Sequence, residues 1–408
     1  MTTSTPARST DPARVGEDAE LALLTGPESV EIVRSALVGH GAAPPDLGVR
    51  VAAVHHRPGA GVSVCYDVTH AAAPAGEVIV ASTTTPTRHD RTESVALLGD
   101  GVHEVRVWRR ADDPALPGLR TALDGATVAG WLDRPEQPHL HVVSYRPTRR
   151  AVVLARVGAE SYFLKVVRPR KAGDLVERHA VLQGSALPAP AILSEPAPGV
   201  VLLARAPGLS LAQALASGDP ATIPSPERVL DALDSMPAQV TQLPLRPSWV
   251  DRIDFHAAAA RSALPERAAE IDDVTLRLGA VLARSGRVAE VPTHGDLNVA
   301  NLFVDGGRPA AVIDVDSLGP GRREDDLATL LAHMLVLPSL APETYTGVPA
   351  VIRRWHSAFA TSVDQRALDA RTAAVLVSLI AGASRDQAEA RLDLALAAVV
   401  RAEEGSAA

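Results

Sequence analysis

The residues best suited to chemistry stand close together, in the stretch His294-Gly-Asp-Leu-Asn-Val-Ala-Asn301-Leu-Phe-Val-Asp-Gly-Gly-Arg-Pro-Ala-Ala-Val-Ile-Asp314-Val-Asp316. Apolar runs at Leu302–Val304 and Ala311–Ile313 flank Asp305-Gly-Gly-Arg308, a strong hairpin signal. Antiparallel pairing around that turn is expected to place Asn301 opposite Asp314 at its open end. Cross-strand neighbours lie about 5 Å apart, close enough for two oxygen ligands to share a hard cation. Asp296 stands five residues before Asn301, in the loop entering the hairpin. One carboxylate as base, with an amide and a second carboxylate on Mg²⁺, is the arrangement that phosphoryl transfer needs.

These groups must be positioned by elements that the patterning makes visible. Residues 1–20 are polar, rich in Thr, Ser and Pro, and read as a disordered tail. A short helix over Glu28–Leu37 precedes alternating strand-like runs at Val49–His55, Gly61–Thr69, Glu77–Ser82 and Val102–Trp108. Helical patterns follow at Leu116–Leu123 and Thr127–Leu132, giving a small α+β unit over 21–138 that closes at Arg134-Pro-Glu-Gln-Pro138. Strands are then expected at His141–Tyr145, Ala151–Val157 and Ser161–Val167. A helix capped by Asp174 runs to Gly184, and short strands follow near Ala191–Leu193 and Val200–Ala204. Beyond Leu209 the periodicity is mostly helical, with amphipathic segments at Pro265–Arg284, Asp325–Leu337, Val351–Val363, Ala370–Ala381 and Asp386–Arg401.

Composition narrows the function classes. A chain of 408 residues, 46% hydrophobic and 22% charged, is globular and long enough for two or three structural units. Only Lys165 and Lys171 are lysines, and neither follows a glycine, so a Walker A loop is excluded. The net charge of −8 argues against nucleic acid as a partner. It falls entirely in residues 206–408, with 26 acidic and 18 basic residues, whereas residues 1–205 balance at 22 of each. The single Cys65 has no intramolecular disulfide partner, and the first residues lack the apolar core of a signal peptide. The longest apolar stretch, Ala373–Ala383, is interrupted by Ser378 and too short for a membrane span. A soluble, cytoplasmic protein with no membrane partner is expected. His55, His56 and His103 show no metal-binding spacing.

The motif His294-Gly-Asp296-x4-Asn301, followed by Ile313-Asp314 and Asp325-Asp326-Leu-Ala, resembles the aminoglycoside phosphotransferase/choline kinase family of kinase-like enzymes. The resemblance spans about residues 141–400. It implies an α+β, protein-kinase-like two-lobe fold: a small antiparallel β lobe over 139–205 and a larger helical lobe over 206–408 holding the catalytic loop and acceptor site. The unit at 21–138 would precede them as a cap. The resemblance further implies ATP and Mg²⁺ as cofactors, Asp296 as catalytic base, Asn301 and Asp314 as metal ligands, and Asp326 as a brace for the catalytic loop. His294 would be structural, and Asp316 either a further metal ligand or structural.

A kinase-like small lobe also needs a strand lysine for the α/β phosphates and a helix glutamate to hold it. Phe163-Leu-Lys165-Val-Val places a lysine in mid-strand, Glu177 follows twelve residues later, and Glu160 is a weaker rival. Tyr145-Arg-Pro-Thr-Arg-Arg150 occupies the phosphate-covering loop but departs from the family in having no glycine; its backbone amides, with Arg149 or Arg150, would meet phosphate. Leu202–Gly208 resembles the interlobe hinge, where main-chain groups of Ala204 and Ala206 would bond adenine. The function implied is transfer of the ATP γ-phosphate to a hydroxyl of a small molecule: an amino sugar, an aminoglycoside or a sugar. The acidic second half favours a cationic acceptor. The alternative is a catalytically inert, nucleotide-binding regulatory protein. A protein kinase is disfavoured, because the helix-start Asp326 comes only twelve residues after Asp314. Nothing in the sequence sets the oligomeric state.

Overall fold

Valine-rich alternation between residues 48 and 109 builds an antiparallel sheet, because period-two apolar residues bury one face of each strand. In the computed structural model the described residues are 12–38, 46–56, 61–85, 87, 90, 93–99, 104–286 and 288–405. Contacts divide the chain into two units, Met1–Gly173 with Ile192–Ala204, and Asp174–Ala191 with Arg205–Ala408.

The first unit holds two five-stranded antiparallel sheets. The N-terminal sheet contains β1 (Gly48–His56), β2 (Val62–His70), β3 (Ala73–Ser82), β4 (Ala96–Gly99) and β5 (Glu104–Arg109), ordered β1-β2-β3-β5-β4. Helices α1 (Pro12–Thr25) and α2 (Glu28–Val38) cover one face, where Leu24 and Val33 pack on Val64, Tyr66 and Ile79. The Tyr66 hydroxyl donates to the Leu24 carbonyl at 2.6 Å. The expected disordered tail is thus corrected for residues 12–20, which are helical because this helix has a sheet face to cover; residues 1–11 lie outside the described residues. Of the strand expected at Val102–Trp108, residues 102 and 103 lie outside them too, as does His103.

The second sheet contains β6 (His139–Arg146), β7 (Arg150–Val157), β8 (Glu160–Val167), β9 (Ile192–Ala197) and β10 (Val200–Ala204), ordered β6-β7-β8-β10-β9. Two short helices, α3 (Leu119–Ala122) and α4 (Gly125–Trp131), share its core: Leu116, Leu119 and Val128 are fully buried with Ala151, Val153, Leu164 and Val166. The expected boundary at residue 138 is therefore not a seam between compact units. The proline cluster there marks only the turn into β6, whereas the helices just before it owe their burial to the second sheet. Helix α5 (Pro169–Leu182) also starts earlier than expected. Proline is at home at a first helical position, so Pro169 opens the helix and Asp174 lies inside it.

The second unit is mainly helical. A three-stranded sheet joins β11 (Leu209–Ser210), β13 (Leu302–Asp305) and β14 (Arg308–Val312), while β12 (Val291–Thr293) pairs with β15 (Gly319–Gly321). The helices are α6 (Leu211–Ser217), α7 (Pro226–Asp234), α8 (Ile253–Ala263), α9 (Ala268–Arg284), α10 (Arg323–Leu340), α11 (Val348–Ser362), α12 (Gln365–Ser378) and α13 (Arg385–Glu404). Helix α12 is buried at every position from Ala367 to Val377 and is the centre of this core, which explains its apolar sequence without any membrane role. No helix among the described residues is long and apolar enough to cross a membrane.

Candidate active site

The loop after β12 is held from beneath by one carboxylate. Asp326, in the first turn of α10, accepts from the His294 N–H at 2.8 Å through Oδ2 and from the Gly295 N–H at 2.8 Å through Oδ1. It is fully buried, and burial pushes its pKa up against the pull of His294, Arg323 and the two amides. Arg323, three residues earlier, stands 3.8 Å away. Asp326 thus occupies the bracing position expected for it.

His294 is fully buried and its ring has fixed roles. The Asp296 N–H lies 3.3 Å from Nδ1 and can only donate; the Ile313 carbonyl lies 2.9 Å from Nε2 and can only accept. With Nδ1 facing the Asp296 N–H and Nε2 facing the Ile313 carbonyl, the ring ties the loop after β12 to the end of β14. A histidine so engaged is a strut, as expected. Gly295 has φ +75°, and a Cβ there would meet the Ser317 carbonyl oxygen at 2.5 Å. Gly295→Ala is expected to destabilise the fold by about 1–3 kcal/mol and to distort the loop. Unchanged thermal melting of that variant would show the loop to be softer than its contacts indicate.

Asp296 is half-buried. Its carbonyl accepts from the Asn301 Nδ2 at 2.9 Å, and Asn301 is itself buried. Since a carbonyl cannot donate, the Asn301 amide is oriented: Nδ2 faces the loop and Oδ1 is left as its accepting atom. The hairpin beyond is as expected, with Gly306 and Gly307 both at positive φ, as a two-residue hairpin turn of the I′ type requires. Its register is not. Leu302 pairs with Val312, and the Ile313 N–H donates to the Asn301 carbonyl at 2.9 Å, so Ile313 rather than Asp314 stands opposite Asn301. An irregularity at Phe303/Val304 shifts the pairing. Asp314 comes one residue later, half-buried, at φ 57°, ψ 50°. This left-handed turn at a non-glycine residue is the strained geometry that functional sites tend to hold.

Asn301 Oδ1 and the Asp314 carboxylate are hard oxygen donors, and Mg²⁺ is commonly held by one or two protein oxygens together with substrate phosphates. The donor set fits that ion. Among the described residues no group of three or more His, Cys, Asp or Glu side chains is arranged to hold a metal. Asp316 is half-buried, and its charge acts on the buried Arg178.

In the first unit Lys165 lies on the central strand β8, between Val152 of β7 and Val201 of β10, and is only 5% exposed. An ammonium in that setting needs anionic company. On α5, Asp174 is half-buried and Glu177 is exposed. Exposed ion pairs contribute little, so the expected role of Glu177 rests on the resemblance alone. Ala204 ends β10 and is half-buried, and Ala206 is buried. The β6–β7 turn exposes Arg149 and half-buries Arg150.

The family model described as "Phosphotransferase enzyme family" matches residues 147–348, a span that contains Lys165, the loop at 294–301, Asp314 and Asp326. Over residues 147–348 the chain matches the phosphotransferase enzyme family. Several solved structures are similar at low identity. A thermostable mutant of aminoglycoside phosphotransferase APH(4)-Ia, in its apo form, is 20% identical, with 70% of this chain and 100% of that chain covered and a TM-score of 0.49. Spectinomycin phosphotransferase APH(9)-Ia, in complex with ADP and spectinomycin, is 14% identical over 69% of this chain and 94% of that chain, with a TM-score of 0.45. The macrolide 2′-phosphotransferase MphH from Brachybacterium faecium is 17% identical over 65% and 96%, with a TM-score of 0.36. No curated protein matches the chain.

The phosphotransferase-family segment begins inside the β6–β7 turn, and a residue outside it fixes that turn. Asp113 is 3% exposed; it accepts from the Thr148 N–H at 2.7 Å, the Tyr145 hydroxyl at 2.7 Å and the Ala115 N–H at 2.9 Å. Arg168 Nε donates to the Thr148 carbonyl at 2.7 Å, and Thr148 itself sits at φ 59°. The Arg149 N–H donates to the Arg146 carbonyl at 3.0 Å. Two of the amides expected to cradle phosphate are thus already engaged, which leaves side chains as the stronger donors of this turn. Sequence reasoning missed Asp113 because Tyr145 and Thr148, the partners it fixes, lie more than thirty residues away. It also missed Arg178, a guanidinium 1% exposed on α5 whose Nη1 donates to the Asp174 carbonyl at 2.9 Å.

Proposed function

We propose that this chain transfers the γ-phosphoryl group of ATP to a hydroxyl of a small molecule. The observation that carries the reading is the loop itself: one rigid turn holds the Asp296 carboxylate and, through the Asn301 amide bonded to the Asp296 carbonyl, an oriented oxygen donor for a cation. Asp296 would orient the acceptor hydroxyl and take its proton as the new O–P bond forms. The bond from the γ-phosphorus to the β–γ bridging oxygen breaks, and ADP departs with that oxygen. Asn301 Oδ1 and Asp314 would hold Mg²⁺, which when bound offsets the negative charge of the phosphates. Lys165 would meet the α and β phosphates, Arg150 would add charge from the β6–β7 turn, and main-chain groups of Ala204 and Ala206 would bond adenine.

The acidic surplus of residues 206–408 supports a cationic acceptor, an amino sugar or aminoglycoside, ahead of a neutral sugar. The deciding experiment measures ADP release from ATP·Mg²⁺ against a panel of aminoglycosides, amino sugars and neutral sugars. Acceptor-dependent turnover with a cationic member is the expected result. Bound ATP with silence across the whole panel would instead identify an inert nucleotide-binding protein.

A further inference from the structure

A cavity of about 460 Å³ lies wholly within the first unit, between strands of the N-terminal sheet and the β6–β7 turn. Its walls carry Arg106, Arg149, Arg168, Arg170 and Lys171, with Asp90 as the one lining carboxylate among the described residues. Among the described lining residues cations outnumber carboxylates five to one. Such crowding of like charge opposes folding unless an anion relieves it. Arg106 shares the Glu104 carboxylate, but among the described residues no carboxylate pairs with the side chain of Arg149 or Arg170.

Two further features show a built site and not a chance concavity. His55 lines the cavity, and its Nε2 is buried without a hydrogen-bond partner among the described residues. The Asp113 and Arg168 contacts to Thr148 lock the turn that forms one wall, and buried Trp108 forms part of another. The volume is that of an ordinary small-molecule pocket, too confined for a nucleic-acid duplex.

We infer that this cavity is a binding site for a small molecule carrying two or more phosphate groups, separate from the nucleotide position. Guanidinium groups match phosphate oxygens in paired geometry, and Arg149 and Arg170 supply two of them, one for each phosphate. Strands β1 and β5, which supply His55, Arg106 and Trp108, precede the family segment, whereas Arg149, Arg168, Arg170 and Lys171 lie inside it, so the site is built jointly by the two.

The test is calorimetric titration of the full chain with magnesium-free sodium tripolyphosphate. One-site binding is expected, weakened about 10-fold or more in the exposed double variant Arg170→Glu/Lys171→Glu. ATP·Mg²⁺ affinity of that variant should stay close to that of the wild type. Lys165→Ala should weaken ATP and leave tripolyphosphate binding intact, and saturating ATP·Mg²⁺ should not displace the probe. Absence of binding, an unchanged affinity in the double variant, or displacement by ATP together with loss in Lys165→Ala would each overturn the proposal. The last outcome would place the anion in the nucleotide position.

Discussion

Asp296→Asn is expected to lower turnover by about 10³-fold, within the range that a positioned general base contributes. The substitution keeps size and shape, and the main-chain bonds of the loop do not pass through the side chain. The Asp296 N–H still meets His294 Nδ1, and the Asp296 carbonyl still accepts from Asn301 Nδ2. ATP·Mg²⁺ affinity should therefore change by no more than about twofold, because the lost interaction is made as the hydroxyl loses its proton and not when nucleotide binds. Steady-state rates with the acceptor found by the ADP-release panel, beside a nucleotide titration, separate the two quantities. Turnover within about tenfold of wild type would remove Asp296 from the role of base.

Asp326→Ala should act on the fold as strongly as Asp296→Asn acts on the chemistry. The truncation strands two amides, those of His294 and Gly295, at a fully buried position. Each orphaned buried donor costs about 1–3 kcal/mol, and Arg323 loses a neighbouring charge as well. A total loss of about 3–5 kcal/mol is expected in denaturant unfolding. Asp326→Asn should lose less: it keeps one accepting oxygen and removes the desolvation that pushes the carboxylate pKa up, but it turns an NH₂ toward the other amide. If Asp326→Ala unfolds within about 1 kcal/mol of wild type, the carboxylate is not the brace of this loop.

What the sequence revealed followed the distance between partners along the chain. The loop at 294–301, the Gly306-Gly307 turn and the helices beyond Leu209 are written in contiguous residues, and the structure holds helices, turn and loop near the expected positions. The partner of Asn301 was misread by one residue, because the turn holds only Gly306 and Gly307, so pairing already starts at Asp305 and Arg308 and includes Pro309. Lys165 was legible as a charge in an apolar strand, but the exposure of Glu177 was not: on α5 the sides facing the core and the solvent depend on the packing around the helix. The misplaced boundary at residue 138 has the same origin. Prolines announce turns, whereas the burial of Leu116, Leu119 and Val128 is decided by a sheet that begins later in the chain.

The Asp113 anchor bears on how this protein can be cut or recombined. A truncation starting at residue 139 would retain every position of the family segment, yet it would discard the acceptor for the Thr148 amide and the apolar layer over β7 and β8. Those strands would present bare valine and leucine to solvent, a surface prone to self-association. The first 138 residues are therefore no detachable tag; grafting the family segment onto another N-terminus would require a substitute for Asp113 and for the α3–α4 layer.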